Sequence, residues 1–328
     1  MTRRKVSTSM LLACLLLCVS ACQQVAVSED AREVARGSRK TTAKEAVALP
    51  AGAYGSPSRL GVLSHKEINE SSGIVASRTT PGLYWTHNDS GDGPFLYAID
   101  ERGLHKGVWR VTGATARDWE GIAAGPGAAR GTNYLYIGDI GDNRGTRAEI
   151  KVYRVPEPLV TPADASSSKA HPIPTEDAEA IRLRYPDGDY DAEALLVHPQ
   201  NGNLYIVTKI PLGNPGIYEA RAPLRTGETR TMVRVGEISL PGFFGGLITG
   251  GDISPDGLRV ALCDYEQGYE LVLPEAGASF NQIWKQPLDT IDLGERKQGE
   301  AIGYRLDGKA LLATSEGKRS PLIQVVRR

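Results

Sequence analysis

The fold of this 328-residue chain is indicated most clearly by residues 191–209, which read DAEALLVHPQNGNLYIVTK. An acidic residue and a small residue open an aliphatic strand, Asn201-Gly202 makes a turn, and a second apolar strand follows from Leu204 to Val207. Asn-Gly between two apolar runs is a strong hairpin signal. The stretch therefore predicts two antiparallel strands joined by a tight turn.

The same opening recurs along the chain, and strands two, three and, in four copies, four follow it. A four-stranded unit repeated about every 50 residues is typical of a β-propeller. The fourth opening is slipped by one residue. The five openings are Glu70-Ser71-Ser72-Gly73-Ile74, Asp118-Trp119-Glu120-Gly121-Ile122, Asp191-Ala192-Glu193-Ala194-Leu195, Gly250-Gly251-Asp252-Ile253 and Gln298-Gly299-Glu300-Ala301-Ile302.

The last copy ends at Arg328 after three strands, so its missing outer strand is predicted to come from the start of the domain, around Leu60 to Ile68. The favoured fold class is all-β, a β-propeller of five four-stranded blades closed by an N-terminal strand. A sixth blade within 159–190 or 223–248 is the main alternative, and a β-sandwich is another.

The first 21 residues are predicted to be a lipoprotein signal peptide. A basic start precedes a short apolar run from Met10 to Val19, and Val19-Ser20-Ala21-Cys22 resembles the lipobox of bacterial lipoproteins. This resemblance implies a lipid on Cys22 and a membrane-anchored protein of the bacterial cell envelope. Gln23 favours the outer membrane if the envelope is Gram-negative. A plain secretory signal is the alternative, and the Sec and Tat export routes both remain open.

Residues 22–57 are predicted to be the lipidated cysteine and a flexible tether, and residues 58–328 the propeller domain. The tether is rich in Ala, Ser, Thr and charged residues and lacks periodic hydrophobicity, as linkers do. Of the four cysteines, only Cys263 would remain free in the mature chain. We therefore expect no disulfide, and a buried, apolar role for Cys263.

The formal net charge of -1, from 38 basic and 39 acidic residues, excludes an obvious nucleic-acid binder, which would carry a basic excess. The expected partners are a membrane, through the lipid anchor, and a protein, glycan or small molecule that the sequence does not identify.

Several motifs carry a family resemblance. They are Asn88-Asp89-Ser90-Gly91-Asp92, Asp118-Trp119-Glu120-Gly121-Ile122-Ala123, Gly138-Asp139-Ile140-Gly141-Asp142-Asn143, Val152-Tyr153-Arg154-Val155-Pro156-Glu157-Pro158 and Asp191-Ala192-Glu193-Ala194-Leu195. Over nearly all of residues 60–328 the chain resembles a group of poorly characterised bacterial secreted propellers, and more distantly gluconolactonase-like and NHL-type propellers. That wider kinship contains enzymes and non-enzymes, so it implies a fold and not a function.

Propeller topology gathers particular residues at one end of the central channel. Strand one lines the channel, and antiparallel pairing places its start beside the end of strand two. The first position holds Ser72, Glu120, Glu193, Asp252 and Glu300, and the second holds Asn88, Asp89, Asp139, Lys209, Asp264 and Glu316.

Most of these residues are carboxylates, and like charges at a narrow mouth repel one another. Carboxylate and amide oxygens suit Ca²⁺, so the sequence predicts a divalent-cation site there. Alternatively, the acids tie neighbouring blades through backbone N–H groups, or Lys209 and arginines such as Arg117 compensate them. The predicted ligands are Asn88, Asp89, Glu120, Asp139, Glu193, Asp252 and Glu300.

Two local motifs are discounted as metal sites. Asp187-Gly188-Asp189-Tyr190-Asp191 opens like an EF-hand loop, but Ala192 and His198 stand where Gly and Glu are required. Residues 138–143 are interpreted as a turn capped by its own Asx side chains.

Nucleophile-elbow, zinc-protease and phosphate-loop signatures are absent from the sequence. A non-catalytic binding or scaffold module is therefore favoured. The alternative is a Ca²⁺-dependent hydrolase of lactones or phosphoesters, with Glu120, Glu193 or His87 as the general base.

Overall fold

The computed structural model describes residues 53–240 and 246–328. Almost all of the regular structure in this part is β-strand, with two short 3-10 helices at Pro162–Ser166 and Phe280–Lys285. The strands are β1 (Ser58–Val62), β2 (Ser71–Ala76), β3 (Leu83–Asn88), β4 (Phe95–Asp100), β5 (His105–Thr112), β6 (Trp119–Pro126), β7 (Asn133–Asp139), β8 (Ile150–Pro156), β9 (Ile173–Asp177), β10 (Glu179–Arg184), β11 (Ala192–Val197), β12 (Leu204–Thr208), β13 (Gly216–Ala220), β14 (Thr229–Thr231), β15 (Val233–Glu237), β16 (Gly250–Ile253), β17 (Arg259–Cys263), β18 (Gly268–Val272), β19 (Asp289–Ile291), β20 (Gly299–Tyr304), β21 (Ala310–Ser315) and β22 (Pro321–Val326).

The strands form five sheets, each of which is a blade. From the channel outward, blade 1 is β2-β3-β4-β5-β9, blade 2 is β6-β7-β8-β10-β14, and blade 3 is β11-β12-β13-β15. Blade 4 is β16-β17-β18-β19, and blade 5 is β20-β21-β22-β1. The five-bladed propeller predicted from the repeat is thereby confirmed.

Apolar packing closes the blades into a ring. The inner strands contact one another in the cyclic order β2, β6, β11, β16, β20 and back to β2. A separate buried apolar cluster fills each of the five interfaces between neighbouring blades. The β-sandwich alternative is therefore wrong, because two stacked sheets would share one core.

The long segments proposed as a sixth blade add strands to existing blades instead. β9 pairs in parallel with β5, and β14 pairs in parallel with β10. The sequence pattern did not predict these two short outer strands, whose exposed side chains carry little apolar signal.

The N-terminal strand closes the ring as predicted, although it lies slightly earlier in the chain. β1 pairs antiparallel with β22. Pairing extends upstream of β1, because Tyr54 bridges Arg327 and the Arg328 N–H donates to the Ala53 carbonyl at 2.7 Å. The last residues of the predicted tether thus pack on the domain.

The Tyr54 side chain bonds the segment that precedes β1 to blade 4. Its hydroxyl donates to Glu270 Oε1 at 2.5 Å, and the Tyr304 hydroxyl donates to the same oxygen at 2.8 Å. We expect Tyr54→Phe to lower the free energy of unfolding by about 2 kcal/mol, because a hydrogen bond to a charged group is lost. Urea denaturation measures this loss. Tyr134→Phe is the control, because the Tyr134 hydroxyl has only a 3.2 Å hydrogen bond from the Ala129 N–H; equal losses in both variants would contradict the assigned role of Tyr54.

Several predictions concern residues outside the described part of the chain. The signal peptide at 1–21, the lipid site at Cys22 and the tether up to residue 52 all lie there. Within the described ranges, no helix is both long enough and apolar enough to cross a bilayer. Cys263 is described, and it is free and completely buried, as expected.

A local irregularity in the inner strands positions the site. The register between strands one and two shifts at the start of β2, β6, β11 and β20, and β16 pairs with β17 without a shift. Such β-bulges re-aim side chains. The residues within the four bulges include Ser72, Glu120, Glu193 and Glu300.

Candidate functional site

In blades 1, 3 and 5, the residue that follows strand two lies beside the bulge of strand one. Asp89, Lys209 and Glu316 directly follow β3, β12 and β21. The backbone N–H of each donates at 2.9 Å to a carbonyl just before strand one, that of Glu70, Asp191 or Gln298 respectively. The sequence prediction that strand-one starts and strand-two ends share a face therefore agrees with the pairing.

Two groups of three carboxylates converge at this end of the channel. One consists of Asp89, Glu300 and Glu316, and the other of Asp89, Asp118 and Glu120. In each group, one ligand atom per residue lies within 4.8 Å of the others. Asp89 belongs to both groups, so blade 1 links a group shared with blade 5 to one shared with blade 2. The set Asp89, Asp118, Glu120, Glu193, Glu300 and Glu316 is called the acidic mouth below.

Glu120 is a buried member of the acidic mouth, with 4% of its surface exposed. The Ser72 hydroxyl donates to its Oε2 at 2.6 Å. Burial, followed by the charges of Glu193 and Asp89, raises the pKa of Glu120 well above its usual range, and the Ser72 hydrogen bond offsets only part of this. Burial therefore favours the neutral form of Glu120 in the absence of a cation.

Glu300 lies in a similar environment on blade 5. Gln298 Nε2 donates to its Oε1 at 2.9 Å, while no N–H group of the described residues donates to its buried Oε2. Burial, and then hydrogen bonding to Glu316, raises the pKa of Glu300 to about 9. A hydrogen bond between two carboxyls requires a proton on one of them, and a bound cation would replace this proton.

Glu193 is the acidic-mouth carboxyl that carries its own counter-charge. Its Oε1 accepts from the Lys209 ammonium, and its buried Oε2 has no partner within the described ranges. Burial raises the pKa of Glu193 to about 8 even though Lys209 acts to lower it. Burial disfavours the Lys209 ammonium, but the Glu193 charge outweighs this and raises the pKa of Lys209.

Arg147 holds the blade 2 side of the mouth. Its Nη2 lies 2.9 Å from Asp139 Oδ1 and 2.9 Å from the Asp139 carbonyl, and its Nη1 donates to the Gly141 carbonyl at 2.7 Å. Asp139 Oδ1 also accepts from the Asp118 N–H at 3.2 Å. Burial, followed by the charges of Asp89 and Asp191, raises the pKa of Asp118 to about 6. Asp139 therefore orients Asp118 and is itself neutralised by Arg147.

Of the predicted ligands, the structure gathers Asp89, Glu120 and Glu300 in the two carboxylate groups. Glu193 belongs to neither group, but its charge raises the pKa of both Glu120 and Glu300. Asp139 belongs to the Arg147 ion pair behind Asp118.

Asn88, the last residue of β3, has a structural role, because it bonds to the loop that precedes blade 1. Its Oδ1 accepts from the Asn69 and Glu70 N–H groups, both at 3.1 Å, and its Nδ2 donates to the Glu67 carbonyl at 2.7 Å. With these bonds made, Asn88 supports the neighbouring Asp89 and is placed to act on a cation only through it.

Asp252 lies further along the channel. Its Oδ2 accepts from the N–H of Tyr304, the last residue of β20, whereas Glu300 is near the start of that strand. Burial raises the pKa of Asp252 to about 7, and the charge of Arg78 opposes the shift. Because β16 lacks the bulge, its sequence aligns differently from the other inner strands, and Asp252 ties blade 4 to blade 5.

His87, a predicted candidate base, is completely buried. Its Nδ1 lies 2.9 Å from the Asn88 carbonyl, and its ring packs edge-on against Trp119 with centroids 6.0 Å apart. Burial lowers its pKa. The neutral imidazole packs beneath the mouth.

The sequence interpretation did not include Asp118 or Glu316 among the ligands. Glu316 carried a signal, since Glu300 and Glu316 have the same spacing as Glu193 and Lys209. Asp118, which precedes β6, carried no such signal in the sequence, because its approach to Asp89 depends on how blades 1 and 2 pack. The compensating arginine is Arg147, whereas Arg117 is exposed.

The two discounted motifs have structural roles. The Tyr218 hydroxyl donates to Asp187 Oδ1 at 3.0 Å. Asp142 Oδ2 accepts from the Thr146 and Arg147 N–H groups, both at 2.6 Å, which makes the predicted Asx-capped turn.

Comparison with known proteins adds little to this description. No protein-family model matches the chain, and no curated protein matches it. A solved structure described as the Dos1 propeller is similar at 10% identity and a TM-score of 0.37, over 80% of this chain and 82% of that one. The propeller assignment rests on the five sheets and the closed order of the inner strands.

Proposed function

We propose that this protein is an envelope lipoprotein whose propeller binds a divalent cation, Ca²⁺, at the acidic mouth and uses this site to bind a partner or ligand. The observation that carries the cation site is the convergence of two three-carboxylate groups on Asp89. Ca²⁺ takes six to eight oxygen ligands and favours carboxylates. The lipobox-like Val19-Ser20-Ala21-Cys22 supports the membrane anchor.

Burial supports the cation assignment over a set of ties between blades. A carboxylate that ties two blades would have both oxygens engaged by donors, as Asp252 does with the Ile253 and Tyr304 N–H groups. Glu193 instead keeps one buried oxygen without a donor in the described structure, and Glu300 is hydrogen-bonded to another carboxyl, Glu316, rather than to a backbone N–H. This arrangement suits a bound cation, because a cation would offset both the desolvation of the carboxylates and their mutual repulsion.

The contacts favour binding over hydrolysis. Among the candidate bases, His87 is enclosed by Asn88 and Trp119, and Glu193 is occupied by Lys209. Glu120 remains the candidate base for the alternative, a Ca²⁺-dependent hydrolase of lactones or phosphoesters. Turnover of a lactone or of a phosphoester by the Ca²⁺-loaded protein would decide for that alternative.

We expect Ca²⁺ binding to release protons and to tighten as the pH rises from 6 to 9. The cation binds the ionised carboxyls, whereas Glu300, with a pKa of about 9, holds its proton over most of this range. Isothermal titration calorimetry in two buffers of different ionisation enthalpy measures the released protons. A Ca²⁺ titration without heat at pH 8 would contradict the proposed site.

Whereas Ca²⁺ binding should tighten as the pH rises, the stability of the cation-free protein should decrease. The pKa values of Glu193 and Glu300 are raised to about 8 and 9, so the native state binds more protons than the unfolded chain above pH 5. This stabilising contribution is complete below the unfolded pKa and is lost as the pH rises to 9. The melting temperature in EDTA should therefore decrease as the pH rises, and Ca²⁺ should reduce this decrease.

A further inference from the structure

A cationic side borders the acidic mouth between blades 3 and 5, formed by Lys209, Tyr265 and Arg296. Lys209 Nζ lies 5.2 Å from the centroid of the Tyr265 ring. The Gly299 N–H donates to the Tyr265 carbonyl at 3.2 Å, which fixes this loop beside Glu300. Lys209 and Tyr265 therefore lie next to the carboxylate group of blades 1 and 5.

Lys209 has donor capacity that its neighbours do not use. An ammonium has three N–H donors. Glu193 accepts one, and hydrogen bonding to Tyr265 engages a second. No further acceptor for Lys209 is found in the described part of the chain, so one donor remains for a ligand.

Arg296 adds positive charge on the same side. Its Nη2 donates to the Asp264 carbonyl at 3.3 Å. It forms no ion pair with any described residue, and its charge lowers the pKa of the neighbouring Cys263, against the larger effect of burial. A cationic group without a carboxylate partner favours the approach of an anion.

The proposed cation would itself need more oxygen ligands. Each group supplies three carboxylates, whereas Ca²⁺ takes six to eight oxygens. Even with some carboxylates bidentate, coordination positions remain for a ligand. An oxygen-bearing anion could bind the cation and accept a hydrogen bond from Lys209 at the same time.

We propose that the mouth binds the oxyanion of a ligand, a phosphate or carboxylate group, between the cation at Asp89 and the ammonium of Lys209, beside Tyr265. This inference rests on the proposed cation site. Without the cation, the carboxylates of the acidic mouth repel an anion, so oxyanion binding depends on Ca²⁺. By thermodynamic linkage, the oxyanion tightens Ca²⁺ binding by the same factor.

The test is a calorimetric titration of the purified protein with methylphosphonate and, separately, with acetate, in excess Ca²⁺ and in EDTA. Ca²⁺ binding is measured first. We expect at least one anion to bind with Ca²⁺ present and to bind at least tenfold more weakly in EDTA, and the tighter anion identifies the group. Lys209→Met should weaken anion binding about tenfold or more, as expected for a lost charge-assisted hydrogen bond.

Two variants serve as controls for Lys209→Met. Lys209→Arg should keep most of the anion affinity, because it retains the charge. Lys309→Met removes an exposed lysine from the β20–β21 turn, on the opposite face, and should leave the anion affinity unchanged.

A third variant tests Tyr265. Tyr265→Phe keeps the ring and should weaken anion binding by about fivefold if the hydroxyl contributes one hydrogen bond.

The outcomes separate the two proposals. Ca²⁺ binding without binding of either anion would overturn the oxyanion inference and leave the cation site standing. Absence of Ca²⁺ binding would overturn the proposed function itself. Anion binding of equal strength in EDTA, or unchanged by both Lys209→Met and Tyr265→Phe, would place the anion elsewhere and overturn the inference.

Discussion

Saturating Ca²⁺ should raise the melting temperature of the protein, and Asp89→Asn should abolish this rise. A ligand that binds only the native state at 100 times its Kd stabilises by about 2.7 kcal/mol, which is about 5 °C for a domain of this size. Asp89 belongs to both carboxylate groups, so its substitution removes a charged ligand from each. Differential scanning calorimetry in EDTA and in Ca²⁺ measures the effect.

The cation-free form of Asp89→Asn provides an internal control. The Asp89 charge raises the pKa of Asp118, Glu120 and Glu193, so its removal relieves repulsion, and the variant in EDTA should melt no lower than the wild type. If Asp89 were a tie between blades, the variant would melt lower with or without Ca²⁺. Asp307→Asn, at an exposed turn on the opposite face, should retain the full Ca²⁺ response.

Arg147→Met should lower the free energy of unfolding by about 3 to 5 kcal/mol, because it leaves the buried Asp139 carboxylate without its partner. The side chains of Arg147 and Asp139 are 4% and 2% exposed. The substitution also removes hydrogen bonds to the Asp139 and Gly141 carbonyls. Urea denaturation in EDTA measures the loss without any contribution from Ca²⁺.

Two further variants test the cause of this loss. Arg305→Met breaks an ion pair with Glu101, whose side chain is 49% exposed, and should cost at most about 1 kcal/mol. Adding Asp139→Asn to Arg147→Met should restore part of the stability, because the unpaired charge is removed. If Arg147→Met unfolds like the wild type, the ion pair does not hold the blade 2 side of the mouth.

Arg147 also links the fold to the proposed function. It neutralises Asp139, and Asp139 accepts from the Asp118 N–H. The position of the Asp118 carboxylate in its group with Asp89 and Glu120 therefore depends on a residue that belongs to neither carboxylate group. Arg147 is a positioning residue in this site.

The sequence predicted the fold well because a propeller is built from local hairpins. Residues 191–209 contain a complete hairpin, three of the other four openings repeat its polar, small and aliphatic order, and the fourth opening along the chain is slipped by one residue. Strand two follows strand one by a short turn in each blade, so local patterns determine most of the pairing. The missing strand of blade 5 also followed from counting strands in the repeat.

The candidate site was only partly predictable. The repeat placed Glu120, Glu193 and Glu300 at one end of the channel, and the structure has them there. Asp252 was assigned with them because its sequence looked similar, although β16 lacks the bulge that re-aims the other three. A bulge is an unpaired residue in a ladder, and one opening read alone does not reveal it.

By itself, the sequence determined the repeat, a preference for five blades over six, the closure by the N-terminal strand and the carboxylates at one face of the ring. These features depend on alternation, turns and spacing, which are local along the chain. Only the tertiary structure decided which carboxylates meet, that Lys209 pairs with Glu193, and that Arg147 compensates Asp139. The carboxylate groups join residues of different blades, so their geometry is set by how the five sheets pack around the channel. The two ion pairs lie within blades 3 and 2, and they depend on where the side chains at the strand ends are placed.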